Sequence, residues 1–290
     1  MKFEGSIVAL ITPMNSHGEV DYEALNRLVD FHVQSGTHGI VSVGTTGESA
    51  TLNVDEHLSV IEQTIKAANG RIPVIAGTGA NSTQEAIFLT GEAEKLGADG
   101  ALLVVPYYNK PTQEGLYQHF HAIAEAVKIP QVLYNVPGRT VADMSNEIIV
   151  RLSQIDNIVA CKDATGDLER GKALVDACGD KLNILSGDDP TALEFMKLGA
   201  KGDISVTANV APSIMSQMCN AALSGDFSLA EKLDQKLQLL HRDLFLESNP
   251  IPVKYAVSKL GYTSNKLRLP LTPLSKDFET TLDAAMAAAT

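Results

Sequence analysis

Eight short apolar runs rich in β-branched residues recur along the chain, each followed by a longer amphipathic stretch. The runs are SIVALI (6–11), GIVSV (39–43), PVIAG (73–77), GALLVV (100–105), QVLY (131–134), NIVAC (157–161), NILS (183–186) and GDISV (202–206). Continuous apolar runs mark strands buried on both faces, as in a parallel sheet. The stretches between them, such as DYEALNRLVDFHVQSG and NSTQEAIFLTGEAEKLGADG, keep apolar residues at helical spacing and close on a glycine. Strand–helix units repeated in this way predict an α/β chain that closes as a (β/α)8 TIM barrel, with an open doubly wound sheet as the alternative. A length of 290 residues suffices for either. After about Gly225 the strand pattern stops, and SLAEKLDQKLQLLHRDLFLE, PIPVKYAVSKLG and the alanine-rich tail read as helices. The expected organisation is a barrel over 1–225 and a C-terminal helical appendix over 226–290, packed on it.

Composition removes several function classes. The formal net charge of −12 argues against a nucleic-acid surface, which needs clustered Lys and Arg. The cysteines Cys161, Cys178 and Cys219 are odd in number and form no CxxC pair, which argues against a disulfide framework or a zinc cluster. SIVALIT near the N-terminus is too short for a signal core or a membrane span. A reduced, cytoplasmic setting is expected. No GxxxxGK[ST] is present, GTGANS (77–82) lacks the third glycine of a dinucleotide fingerprint, and His119 and His121 form no metal motif.

In a barrel, chemistry gathers at the C-terminal ends of the strands. Here those ends are polar: Thr12, the GTTGE loop (44–48), Thr78, Tyr107 and Tyr108, Tyr134, Lys162, the SGDD turn (186–189) and Thr207. Lys162 is the most telling of them, because lysine is among the residue types least often buried. A solvated lysine is neutral in only about one molecule in two thousand at neutral pH. Burial at a strand end disfavours the ammonium and frees a neutral amine to attack a carbonyl as a Schiff-base nucleophile. The plain structural reading is a lysine that snorkels to solvent. The hydroxyls of Thr45, Tyr108 and Tyr134 lie on strand ends expected to share the mouth and could carry protons. For either tyrosine the competing reading is aromatic packing. The GTTGE loop is either an ordinary glycine turn or an anion cradle, in which glycines let backbone amides point at a carboxylate and the threonine hydroxyls add donors.

GTTGES (44–49), PYYNKP (106–111), YNVPGRT (134–140) and KDATGD (162–167), in this order, resemble the dihydrodipicolinate synthase family of pyruvate-dependent Schiff-base lyases and aldolases. The resemblance spans nearly the whole chain. It implies a barrel assembled as a homotetramer, a dimer of dimers, that joins pyruvate to L-aspartate-4-semialdehyde in the first committed step of diaminopimelate and lysine synthesis, with no metal or organic cofactor. Carried onto this chain, the resemblance makes Lys162 the Schiff-base lysine and Tyr134 its acid/base partner. Thr45 and Tyr108 complete a proton relay, and Tyr107 reaches across a subunit interface. Thr45 and Thr46 hold the pyruvate carboxylate, Arg139 binds the carboxylate of the semialdehyde, and Gly187 and Ile204 line the substrate site.

The same resemblance implies an L-lysine effector site at Ser49, Ala50, His57, Asn81, Glu85 and Tyr107. Glu85 also fits a capping box opened by Ser82, and His57 fits a helix surface. Val54 departs from lysine-sensitive relatives, which often carry histidine there. Two alternatives are set against this reading. Another pyruvate aldolase, acting on N-acetylneuraminate or keto-deoxy sugar acids, would share Lys162 and Tyr134 and is disfavoured by Arg139. A non-catalytic binding barrel would be expected to have lost Lys162 or Tyr134.

Overall fold

The structure is a computed structural model and describes residues 3–289. Eight parallel strands close on themselves in sequence order, the last pairing with the first. They are β1 (Gly5–Ala9), β2 (Gly39–Ser42), β3 (Val74–Gly77), β4 (Gly100–Val104), β5 (Gln131–Asn135), β6 (Ile158–Asp163), β7 (Asn183–Ser186) and β8 (Gly202–Ser205). Every expected apolar run supplies one strand, so the closed barrel holds and the open sheet does not. Around it lie α1 (Tyr22–Gln34), α2 (Val54–Ala68), α3 (Thr83–Leu96), α4 (Gln113–Ala126), the short α5 (Pro137–Thr140), α6 (Asn146–Leu152), α7 (Leu168–Cys178), α8 (Ala192–Lys197) and α9 (Pro212–Leu223). The chain continues as α10 (Phe227–Asp243), α11 (Ile251–Lys259) and α12 (Lys276–Ala288).

Local chemistry starts and stops these helices. Asp21 caps α1 by accepting from the Ala24 amide, and Asn53 and Glu56 cap α2 reciprocally. Gly97 ends α3 with φ at 89°, a left-handed position that suits glycine.

Two apolar layers follow from the strand period of two. Ile7, Val41, Ile75, Leu102, Val132, Ala160, Leu185 and Ile204 fill the barrel interior. Val8, Ile40, Val74, Leu103, Leu133, Cys161 and Ile184 point outward and pack beneath the helices. The outer layer also takes in Leu237, Leu240, Val253, Ala256, Val257 and Leu282 from α10, α11 and α12. No helix of the described residues is long and apolar enough to cross a membrane.

Candidate active site

The run that ends in Lys162 continues further than its apolar residues suggest: β6 extends through Lys162 to Asp163. Lys162 pairs in register with Tyr134 of β5 and Leu185 of β7. Ala160 belongs to the interior layer, so strand alternation turns Lys162 into the barrel as well. Its side chain is only 5% exposed, and its Nζ lies 4.4 Å from the centre of the Tyr134 ring. No carboxylate forms an ion pair with it among the described residues. The solvent-snorkelling reading of Lys162 does not hold.

Gly187 leaves the space that Lys162 occupies. A Cβ there would stand 2.6 Å from Lys162 Cε and 2.8 Å from Ala164 Cβ. Ile204 is buried in the interior layer and lines the same barrel core. Behind it, on the outer face of β8, sits the fully buried Asp203. Burial, with Asp189 beside it, pushes its carboxyl well above the usual carboxylate range, while Lys162 draws it down. Asp189 itself accepts from the Ser205 hydroxyl and from the amides of Val206 and Thr207.

The GTTGE loop leaves β2 through a sharp bend. Val43 is buried with φ at 58°, an uncommon conformation for a β-branched residue and a local strain. Gly77 makes room for it, because a Cβ there would stand 2.3 Å from the Val43 carbonyl oxygen. Within the loop the Gly47 amide donates to the Gly44 carbonyl and the Glu48 amide to Thr45. The amides of Thr45 and Thr46 donate to no protein acceptor among the described residues, as an anion cradle requires.

Contacts that composition alone does not reveal hold this loop from outside. Thr12 Oγ1 donates to the Gly47 carbonyl at 2.7 Å. Asn249 Nδ2 donates to Thr46 Oγ1 at 3.0 Å, and the Asn249 carbonyl accepts from Arg139 Nη2 at 3.1 Å. The fully buried Lys254 of α11 forms an ion pair with the buried Glu48. Burial pushes the Lys254 ammonium below its usual range, and Glu48 opposes that shift. The backbone amide of Arg268 donates to the second Glu48 oxygen at 3.1 Å. Lys254, Asn249 and Arg268 were not singled out in the sequence. The one signal was a lysine set among apolar residues in PIPVKYAV, the oddity that marked Lys162.

The tyrosines separate. Tyr134 is buried beside Lys162, so aromatic packing and a site position coincide there. Tyr108 is 88% exposed with φ at 75°, and makes no hydrogen bond or ring contact with Tyr134 or Lys162 among the described residues. Tyr107 is 42% exposed, its carbonyl accepts from Asn81 Nδ2 at 3.2 Å, and burial with nearby Glu85 raises its phenol.

His57 is buried on α2, contrary to the helix-surface alternative, with Nε2 2.7 Å from the Gly77 carbonyl. Burial lowers its pKa, so the neutral ring donates that hydrogen bond. Ser49 and Ala50 form a 3-10 turn just before α2, whose first residue, Val54, is 42% exposed. Ser82 accepts from the Glu85 amide at 3.5 Å, but the reciprocal half of a capping box is absent, and the Glu85 side chain is exposed.

A family model described as the dihydrodipicolinate synthetase family matches residues 2–289. The chain belongs to that family. As a member of the dihydrodipicolinate synthetase family it is 59% identical, over 99% of its length and 95% of the relative's, to 4-hydroxy-tetrahydrodipicolinate synthase of Psychrobacter sp. (strain PRwf-1). The chloride-inhibited dihydrodipicolinate synthase of Acinetobacter baumannii, solved in complex with pyruvate, superposes with a TM-score of 0.97 at 58% identity, covering 99% of this chain and 98% of that one. The family member of Cyanidioschyzon merolae, solved with lysine bound, gives a TM-score of 0.96 at 39% identity, covering 100% of this chain and 99% of that one.

Proposed function

We propose that this chain condenses pyruvate with L-aspartate-4-semialdehyde to give 4-hydroxy-tetrahydrodipicolinate. The observation that carries the reading is Lys162: a buried amine without a counter-ion, set against the Tyr134 ring at the C-terminal end of a barrel strand. Its nearly full-length identity to a 4-hydroxy-tetrahydrodipicolinate synthase supports the choice of substrates. The pyruvate complex of the Acinetobacter relative supports the first of them.

In this reading Lys162 adds to the pyruvate keto group and water leaves, giving the imine. Loss of a methyl proton gives the enamine, whose carbon attacks the semialdehyde carbonyl. The amino group of the semialdehyde then displaces Lys162, closing the ring and restoring the amine. Tyr134 moves protons beside Lys162, and Thr45 joins it. The amides of Thr45 and Thr46 clasp the pyruvate carboxylate. Arg139 receives the second carboxylate on its planar fork. Tyr108 projects from its own subunit, so we assign it to the relay of a neighbouring subunit's site. Tyr107, held by Asn81, then belongs with the effector residues. This reading needs an assembly, a homotetramer in our proposal, and we place it in the cytoplasm, where the free cysteines Cys161, Cys178 and Cys219 would stay reduced.

Borohydride reduction with pyruvate tests the covalent step. A reduced pyruvate adduct is expected on Lys162 in the peptide mass map. An adduct on another lysine, or none, would sink the assignment. N-acetylmannosamine or sugar-derived aldehydes turned over in place of the semialdehyde would keep Lys162 and overturn the substrate.

A second reading concerns L-lysine. Asn81 and Tyr107 are hydrogen-bonded, Glu85 acts electrostatically on Tyr107, and the Glu85 side chain is not used as a cap. The lysine-bound relative supports an effector there. We propose inhibition by L-lysine at Ser49, Ala50, His57, Asn81, Glu85 and Tyr107, weakened by Val54. Full activity in millimolar lysine would rule it out.

A further inference from the structure

The Lys254–Glu48 pair is hard to explain as a stability device. Both residues are buried, Lys254 completely. Removing two charges from water carries a desolvation penalty that their attraction rarely exceeds, and well-packed apolar residues of the same volume usually serve stability as well or better. Its location is more informative. Glu48 is two residues beyond Thr46 and has a left-handed backbone, with φ at 59°. Both of its carboxylate oxygens are engaged, one by Lys254 and the other by the Arg268 amide. A carboxylate gripped at both oxygens cannot rotate, so it fixes the backbone that carries it.

The loop has little else to fix it. It lies beyond the β2 ladder, and its own hydrogen bonds are short turns, from Gly47 and Ser49 to Gly44, from Glu48 to Thr45 and from Thr51 to Glu48, none of which reaches another element of the barrel. Apart from Thr12, the residues that grip it, namely Asn249, Lys254 and Arg268, follow the last strand by more than forty positions in the chain. Lys254 sits in the middle of α11, a helix whose other buried residues join the outer apolar layer. That anchorage gives its ammonium a rigid base.

We propose that the Lys254–Glu48 ion pair positions the Thr45 and Thr46 amides for the pyruvate carboxylate, so that α11 sets part of the pyruvate site from outside the barrel. The inference rests on the reading of that loop as the pyruvate-carboxylate cradle. Lys254 and Glu48 act as positioning residues: they touch the loop and not the substrate. Their effect falls on pyruvate capture, and neither the amine of Lys162 nor Arg139 depends on them.

The test compares the full-length wild-type chain with Glu48→Gln/Lys254→Met, which removes both charges and keeps both volumes. Borohydride trapping at Lys162 is titrated with pyruvate, and steady-state kinetics are run with both substrates. In the double variant the half-saturating pyruvate concentration is expected to rise at least about tenfold, within the ~10²-fold that an ångström of misplacement can cause. The KM for the semialdehyde and the melting temperature should stay near wild type. A merely structural pair would lower the active fraction or the melting temperature and leave the pyruvate half-saturation unmoved, and that result overturns the proposal. Should the double variant not fold, Glu48→Asp retains the charges and shortens the reach, and an unmoved half-saturation there overturns it equally. A wild-type chain that gives no adduct at Lys162 overturns the reading of the site itself. A wild-type adduct with an unshifted variant overturns only the role of the pair.

Discussion

At the scale of single residues, the candidate site depends on what is left out as much as on what is present. Gly187 is conformationally unremarkable and carries no chemistry, yet Lys162 runs through the space a side chain would fill. Gly187→Ala is therefore expected to push Lys162 off its rotamer rather than to unfold the barrel. Overpacking of this kind costs about 1–3 kcal/mol. A displaced amine should lose on the order of 10²-fold in the rate of Schiff-base formation. Trapping kinetics with pyruvate, alongside a thermal melt, check both. A wild-type trapping rate in a stable variant would mean the space is not needed. The same reasoning explains why sequence motifs found Lys162 and Tyr134 readily: their side chains carry the chemistry. Gly187 was legible only as part of the resemblance, because its contribution is steric and exists only when β7 lies beside β6.

At the scale of elements, the ends of β5 and β6 are tied together one residue beyond the reacting side chains. Asn135 follows Tyr134, Asp163 follows Lys162, and the two are partners in the ladder. Asn135 Nδ2 donates to Asp143 Oδ1 at 2.8 Å, and Arg170 Nη1 donates to both Asp143 oxygens. Arg170 Nε lies 3.6 Å from the buried Asp163 Oδ2, so α7 braces both strand ends through one guanidinium. Arg170→Met would leave the buried Asp163 carboxylate with the Thr165 amide on one oxygen and no cation beside the other, so the variant is expected to be less stable than wild type. Urea denaturation should show that loss, and Asp163→Asn in the same chain should recover most of it. Equal stability of the single and wild-type chains would remove the brace from the argument. None of this was read from the sequence. Arg170 sits on a helix whose pattern says only that one face is wet, and its partners are separated from it by many residues.

At the scale of the whole molecule, buried histidines set the response to acid. Burial pushes His32 down to about 3 and His119 down to about 4, against 6.5 for an unperturbed ring. Between those limits the unfolded chain holds protons that the native chain does not, so stability falls as pH falls. His57, lowered by burial as well, acts in the same direction. Asp203 acts in the opposite one: its raised carboxyl keeps a proton in the native state that an unfolded aspartic acid loses above about pH 4. In the acid range, where both rings would be protonated in the unfolded chain, His32 and His119, joined by His57, outweigh the single Asp203 carboxyl, so unfolding takes up protons there. The urea midpoint is therefore expected to be lower at about pH 5 than at about pH 7, by titration at constant ionic strength. A midpoint that is level or higher at the lower pH would show that these rings are hydrated in solution.

The eight strand–helix units and the Lys162 hypothesis were determined by the sequence alone, and the pairing of β8 with β1 in the fold decided that the sheet closes. Strand-length apolar runs and helical spacing are short-range properties, and a lysine that ends an apolar strand is conspicuous within ten residues. What only the tertiary structure decided are the long-range partners. The Lys254–Glu48 pair spans 206 positions, and the Asn249–Thr46 hydrogen bond spans 203. The two tyrosines of PYYNKP look equivalent in the sequence, and the fold separates them because Tyr108 alone projects almost entirely from the subunit. For the two long-range pairs the physical reason is the same: local pattern reports that a segment is apolar, whereas the partner a residue meets depends on how the closed barrel and its last helices bring distant segments together.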